Sequence, residues 1–440
     1  MLGAREDWQA WIAAGRLALL AGPDYQGASA VARIFPDLHT APVVVDPGLA
    51  GRNAAAVDRA REVVARLAFA TKANDGARRA SAGRYLLHTL ANVPRLARES
   101  DVRALAGLAA GRPAIIAAAG PSLDTNVHTI VPCLDRAVVI ACDTAARPLT
   151  LTGIDPDFIV ASDPAPANAW HLAGLPVKRS WLVGEGSLHA SAFTSFDRRT
   201  FTFRVSDHQP WPWLESIGLG RALLPTWGSV ATSAFSLAVL MGCNPIVFAG
   251  ADFAFTANRP YCRGTSFEAQ WGVWVAGGST LDAIWETQVG KWPALAAPDI
   301  HGRPARTASH LVAFRDWIVE QSLAHPDRRI INGTGAGLLH GGRIEQGTIW
   351  DAVAGRLAID REDFHQAIRA AHLSARGNVG RTLAGVHEIV RAASHPERAS
   401  WNRFTGGVVP DAAIDLALKT PEYTAWNLAA ASSVLAKELS

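Results

Sequence analysis

Three apolar runs in this chain end in residues that could hold a nucleotide. Ala114 to Ala118 runs into Gly120-Pro121-Ser122-Leu123, followed by a polar, helix-compatible stretch. A tight Gly turn at a helix start presents backbone N–H groups and a positive dipole end, which suits a phosphate or carboxylate. Ala137 to Cys142 ends in Asp143-Thr144, and Phe158 to Ser162 ends in Asp163. Asp oxygens suit ribose binding or a hard cation such as Mg²⁺ beside phosphates. Asp is equally a favoured helix N-cap, and the pattern leaves those two readings level. Thr226-Trp227-Gly228-Ser229-Val230-Ala231-Thr232 reads as a second turn whose N–H groups and hydroxyls either face a ligand or cap a helix. Phe248-Ala249-Gly250-Ala251-Asp252 ends another apolar run: Gly250 permits close approach of a ligand, and Asp252 could bind ribose or base, assist catalysis, or serve as a cap. Of 14 His, His301 in Asp299-Ile300-His301-Gly302-Arg303 is the best-placed candidate base. The Gly turn matches neither G-x-G-x-x-G nor the Walker A pattern, which argues against an ordinary dehydrogenase or ATPase.

These residues need strands to bring them to one edge. Apolar runs predict strands over 114–119, 137–142, 157–162, 180–184, 222–226, 245–250 and 328–332. Helical runs separate several of them, notably Thr232 to Met241 and Ser309 to Leu323. That alternation predicts an α/β, doubly wound, mostly parallel sheet, in which ligands bind outside the C-terminal strand ends. Asp143, Asp163 and Asp252 all fall at such ends.

The expected organisation is a small N-terminal α/β domain (1–110), a nucleotide-binding core (111–345) and a helical C-terminal domain (346–440). In the first, Arg16 to Leu20 and Ala41 to Val45 read as strands, Ala54 to Ala70 as a helix and Tyr85 to Leu108 as mostly helical. In the last, Asp360 to Ala375 and Pro421 to Leu439 read as helices. From Phe253 to Pro298 no clear strand is visible. Trp271, Trp274, Trp285 and Trp292 cluster there, as expected of a lid or binding loop.

Composition narrows the classes further. The 440 residues are 49% hydrophobic and 18% charged, ample for a globular core. A formal charge of +3 argues for neither a nucleic-acid binder nor a membrane-surface protein. Cys133, Cys142, Cys243 and Cys262 show no C-x-x-C spacing, so zinc is not expected. A reducing, cytoplasmic location is. The apolar run Leu17 to Ala21 is too short to span a bilayer, and neither a signal peptide nor a membrane span is expected.

Several segments recur together in a known order. They are Gly120-Pro121-Ser122-Leu123, Cys142-Asp143-Thr144-Ala145, Gly153-Ile154-Asp155-Pro156-Asp157 through Asp163, Gly228 to Thr232, Met241 to Asp252, Gly264-Thr265 and Ile331-Asn332-Gly333-Thr334. Over about residues 112 to 345 the set resembles the motility accessory factor (Maf) proteins of bacterial flagellin glycosylation. The resemblance implies a Rossmann-like fold similar to bacterial sialyltransferases. It also implies transfer of a nonulosonic acid from a CMP-sugar donor to Ser or Thr of flagellin or another protein acceptor. The same group includes an archaeal 6-hydroxymethyl-dihydropterin diphosphokinase (an MptE-like protein) that uses ATP and Mg²⁺. That implies an alternative, diphosphotransfer to a pterin-like molecule. A non-catalytic nucleotide-sugar-binding partner is a third expectation.

By position the resemblance gives Gly120 to Leu123 the nucleotide phosphate. Ser229 and Asp252 match a nucleotide-site Ser and Asp. Asp143 and Asp163 stand where sialyltransferases carry Asn, which favours a metal-assisted site with these two as ligands. Ala119 replaces an Asn before the Gly-Pro turn. Of a tyrosine pair near the leaving phosphate, Ala254 stands at one position and Tyr261 lies near the other. The catalytic His falls in a region containing His301 and His310.

Overall fold

The computed structural model describes residues 8–14, 42, 44, 47–196, 198–206, 211–216 and 218–375. The expected strands at 16–20 and 41–45 and the expected helix at 421–439 lie outside these residues, apart from positions 42 and 44, which carry no regular structure.

Nine strands form one sheet among the described residues: β1 (Ser100–Asp101), β2 (Ala114–Ala117), β3 (Val138–Cys142), β4 (Phe158–Ala161), β5 (Trp181–Glu185), β6 (Thr200–Phe203), β7 (Ile246–Ala249), β10 (Ile330–Asn332) and β11 (Ile344–Gln346). A separate antiparallel hairpin pairs β8 (Leu295–Pro298) with β9 (Pro304–Thr307). The order across the large sheet is β1-β6-β5-β4-β3-β2-β7-β10-β11, and every pairing in it is parallel. Parallel strands are covered on both faces, which is why β2, β3, β4 and β7 are continuous apolar runs buried at every position.

From β2 the chain steps outward through β3, β4, β5 and β6, then returns to place β7 on the other side of β2. The strand order therefore reverses between β2 and β7, the kind of crevice where a doubly wound sheet binds ligands. The helices used below are α1 (Ala54–Ala91), α2 (Leu123–Ile130), α3 (Asp143–Leu151), α4 (Val230–Leu240), α5 (Ser266–Ala276), α6 (Leu281–Gly290), α7 (Ser309–Ala324) and α8 (Arg361–Ser374). α4 is the return crossover and lies against β2, β3 and β4. The residues after it join the chain ahead of β2, through Ala109 N–H to Met241 O and Gly111 N–H to Gly242 O. Its C-terminus is thus at the N-terminal edge of the sheet and its N-terminus at the C-terminal edge.

Two expectations are corrected. Residues 222–226 are not a strand: Leu223 makes a single bridge to Arg204, because Pro225 lacks the N–H a ladder needs. The 253–298 segment does contain a strand, β8. It was hidden because its Leu-Ala-Ala-Pro sequence is short and mostly exposed, with no alternation to read.

The described parts of the flanking segments next to the core join the same sheet and apolar cluster. Ser100–Asp101 forms the edge strand β1, and Val102, Leu105 and Ala109 enter the main apolar cluster, as do Phe364 and Ile368 of α8. α8 is also clamped electrostatically. Arg361 Nη1 reaches both Oδ1 and Oδ2 of buried Asp157 at 3.0 Å, and its Nη2 donates to Ala137 O at 2.7 Å. Asp157 Oδ2 also accepts from Val139 N–H at 2.8 Å, so one carboxylate holds helix and sheet together. All four cysteines are buried and free.

Candidate functional site

The Gly120 turn is built against Asp252. Gly120 N–H donates to Gly250 O (2.8 Å), Ser122 N–H to Asp252 Oδ2 (3.2 Å) and Ser122 Oγ to Asp252 Oδ1 (2.6 Å). Thr256 Oγ1 adds a donor to Asp252 Oδ1 at 2.6 Å. Burial pushes the Asp252 carboxyl up, and these donors pull it back. A Cβ on Gly120 would sit 2.2 Å from Asp252 Oδ2 and 2.5 Å from Gly250 O, so only glycine fits. Leu123, Asp124 and Thr125 donate to Gly120 O, Pro121 O and Ser122 O. The N–H groups from Gly120 to Thr125 therefore all have partners within the chain, and Pro121 has none to offer. This arrangement corrects the expectation of a turn with free donors: it is a knot at the β2/β7 reversal.

The knot extends to β10. Gly250 N–H donates to Asn126 Oδ1 (2.8 Å), Ala251 N–H to Thr334 Oγ1 (3.0 Å) and Thr334 N–H to Asn332 Oδ1 (3.0 Å). Asn126 Nδ2 reaches Thr334 O at 3.2 Å. The Asn332-Gly333-Thr334 segment and Gly250 are thereby parts of one buried network.

Open chemistry lies one and two strands away. The β3–β4 register pairs Cys142 with Val160, so Asp143 and Asp163 emerge at neighbouring strand ends. Asp143 is buried, and its Oδ1 accepts from Thr144 N–H (2.7 Å) and Thr144 Oγ1 (3.2 Å). Its Oδ2 has no hydrogen bond among the described residues. Burial pushes this carboxyl up to about 7, with the nearby Asp163 charge adding to the effect. Asp163 is exposed and accepts from Ala165 N–H at 2.8 Å, a local turn contact rather than a helix cap.

Residues after Asp252 fold back over this edge. Cys262 N–H donates to Ala119 O (2.9 Å), Arg263 N–H to Asp124 Oδ1 (2.8 Å), and Arg259 pairs with Asp124 at 2.5 Å. Gly264, at φ +76°, donates to Glu268 Oε2 at 2.9 Å and leads into α5. The strap delivers Tyr261 to within electrostatic reach of Asp143 and Asp163, whose charges together with burial raise its phenol. Phe267 stacks on Tyr261 with centroids 4.8 Å apart and meets the His171 ring edge-on, also at 4.8 Å. His171 Nδ1 is 2.5 Å from Ser266 Oγ. Burial lowers this imidazole to about 4 against the opposing pull of Asp163, so it is neutral at pH 7. His171 and Ser266 were missed as site candidates, whereas the resemblance had already set Tyr261 near a tyrosine position. The Pro164 to His171 stretch looks like an unpatterned loop, and only the fold brings it to the strap.

The remaining expected residues divide. Ser229 caps α4, accepting from Ala231 N–H at 3.3 Å, and Thr232 is buried against Thr226 (2.9 Å) and Trp227 N–H (2.9 Å). The N–H groups of Gly228 and Ser229 have no partner among the described residues, and Gly228 is exposed at φ +68°. This turn, not the Gly120 turn, keeps free donors at the C-terminal edge. His301 is exposed in the β8–β9 turn, with its N–H on Asp299 Oδ1 at 2.8 Å, and no hydrogen bond or ion pair joins its ring to Asp143, Asp163 or Asp252. Glu185, another acid missed at a strand end, is buried at the tip of β5 and pushed up to about 7 by burial. Within the insert Trp271 and Trp285 pack with Ile284 as a small apolar cluster, whereas Trp274 and Trp292 are exposed.

The donor set near Asp143 also bears on a metal. Among the described residues no three His, Cys, Asp or Glu side chains gather to hold an ion. Mg²⁺ beside a nucleotide commonly takes only one or two carboxylates, with phosphate and water completing its shell. Asp143 Oδ2, unpartnered and next to Asp163, fits that smaller set.

Residues 87–258 match the family model described as 6-hydroxymethylpterin diphosphokinase MptE-like. The match covers less than half of the chain. The matched stretch includes the strands from β1 to β7, both Asp residues and the Gly228-Ser229 turn, and it stops before Tyr261. The fold also aligns with the structure of the Maf glycosyltransferase from Magnetospirillum magneticum AMB-1, with a TM-score of 0.52 at 15% identity. That alignment covers 81% of this chain and 57% of the Maf protein, so the chain spans little more than half of that glycosyltransferase. No curated protein matches the chain in sequence. The chain thus shares its fold with that glycosyltransferase. No helix among the described residues is long and apolar enough to cross a membrane.

Proposed function

We propose that this chain is a glycosyltransferase that moves a nonulosonic sugar from a CMP-sugar donor to Ser or Thr of flagellin or another protein. The observation that carries the reading is the group at the β3/β4 ends, where buried Asp143, Asp163, Tyr261 and the His171–Ser266 pair converge under a strap. Departure of CMP leaves an oxocarbenium-like sugar, so the enzyme must stabilise a leaving phosphate and accept the acceptor hydroxyl's proton. In this reading the free N–H groups of Gly228 and Ser229 and the N-terminus of α4 receive the phosphate. Tyr261 donates its phenol proton toward the leaving oxygen, and Asp143 and Asp163 hold the ribose or a cation. If Mg²⁺ is used, these two carboxylates hold it, and it neutralises phosphate charge. Neutral His171 is the base in the cluster and replaces His301 in that role.

The test is ligand-dependent melting. CMP-nonulosonate is expected to raise the melting temperature of the full chain, with ATP and Mg²⁺ having no effect. Stabilisation by ATP with Mg²⁺ but not by CMP compounds refutes the reading. It would favour the second one, diphosphotransfer to a pterin-like acceptor, which the MptE-like match over residues 87–258 supports.

A further inference from the structure

A cavity walled by basic and aromatic residues lies at the opposite edge of the sheet. It encloses about 270 Å³ and is lined by Lys178, Arg179, Arg198, Arg199 and Arg369, with Trp181, His365, His372 and Leu373 completing its walls. Lys178 and Arg179 immediately precede β5, Arg198 and Arg199 immediately precede β6, and the other charged wall comes from α8. All sheet strands are parallel, so the starts of β5 and β6 face away from the edge that carries Asp143 and Asp163.

The cations here are only partly balanced by carboxylates among the described residues. Arg199 is structural, donating to Lys178 O, Ser180 O and Ser195 O. Arg369 pairs with Glu362 at 2.7 Å on the rim. The side chains of Lys178, Arg179 and Arg198 are exposed, without a hydrogen bond or close ion pair among the described residues, and the Glu362 charge reaches Arg179 only at longer range. Nearby acids are spoken for. Asp155 accepts the N–H groups of Lys178 and Arg179, both at 2.9 Å, as well as Ser180 Oγ. Asp157 is held by Arg361, and Glu99 accepts from His372 at 2.9 Å. No carboxylate lines the cavity.

We propose that this cavity is a binding site for a compact polyphosphate group, separate from the nucleotide edge. Guanidinium forks match phosphate oxygens two at a time, and Lys178, Arg179 and Arg198 together carry more positive charge than a single phosphate balances.

The probe is inorganic pyrophosphate, titrated calorimetrically into the full chain at low and moderate salt. Wild type is expected to bind with a salt-sensitive affinity, the Arg179→Gln/Arg198→Gln double variant at least tenfold more weakly, and Asp143→Asn as wild type. Lys178→Gln alone is expected to weaken binding severalfold, and serves if the double variant does not fold. Equal affinity in the cavity variants, no binding by wild type, or loss only in Asp143→Asn would each overturn the proposal. So would displacement of pyrophosphate by a single-stranded oligonucleotide at lower concentration than by pyrophosphate itself. The Asp143→Asn arm keeps this outcome independent of the glycosyltransferase reading.

Discussion

Replacing Asp143 with Asn tests the electrostatics of the β3/β4 edge directly. Burial raises the Asp143 carboxyl from its ordinary range to about 7. Three pKa units correspond to about 4 kcal/mol between ionised and neutral forms. Because the folded pKa lies above the unfolded one, the folded protein holds this proton longer. The stability it contributes is complete below about pH 4 and is lost as pH rises to about 7. Asn cannot ionise, yet it keeps an oxygen for Thr144 N–H, which Oδ1 now accepts at 2.7 Å. Its NH₂ takes the place of Oδ2, where no partner waits, at a cost of about 1–3 kcal/mol. At pH 8 Asp143→Asn should therefore be more stable than wild type by about 1–3 kcal/mol, and at pH 5 level or less stable. Urea denaturation midpoints at the two pH values measure this. Glu185 titrates in the same window but is present in both proteins, so it cancels from the difference. An Asn effect of the same sign and size at both pH values would refute the burial argument.

Other consequences are more local. Gly120→Ala forces a Cβ to 2.5 Å from the Gly250 carbonyl, which cannot rotate away, and should lower stability by about 1–3 kcal/mol in the same urea assay. Asp157→Ala strands Arg361 beside buried His365 and should cost about 3–5 kcal/mol, read as a drop in melting temperature; a change within 0.5 kcal/mol would show that α8 is held by its apolar face alone. His301→Ala should leave sugar transfer within twofold of wild type, whereas His171→Asn should reduce kcat by about 10²-fold or more. The opposite ranking would return the base role to the hairpin.

The sheet was legible in the sequence because parallel strands buried on both faces are written as uninterrupted apolar runs. Ala114 to Ala117, Val138 to Cys142, Phe158 to Ala161 and Ile246 to Ala249 each declare themselves in this way. β1, two residues long, and β6, a Thr-Phe-Thr-Phe alternation between polar loops, do not. Both are strands only because a neighbouring edge accepts them. The site was half legible. Asp143 and Asp163 follow from strand ends, and the Gly228-Ser229 turn from its place before a long apolar helix. Tyr261, His171 and Ser266 come together through a strap whose path is set by Cys262 N–H on Ala119 O and Arg259 on Asp124, contacts between residues more than a hundred positions apart. No local periodicity encodes them.

Part of the set that carries the family resemblance lies in the buried knot. Gly120, Ser122, Gly250, Asp252, Asn332 and Thr334 bind one another across β2, β7 and β10 and leave no donor in the Gly120 turn free. Such residues are constrained by close backbone approach and by the need to satisfy buried polar groups, whatever ligand lies nearby. They specify the strand reversal and hence the position of the edge. In the proposed reading, selection between a sugar and a diphosphate as the transferred group falls instead to the strap and its contacts, which begin after the matched segment ends at residue 258. Transplanting residues 259–266 between this chain and a pterin diphosphokinase core should therefore change the reaction more than any exchange within the knot, which would only unfold it.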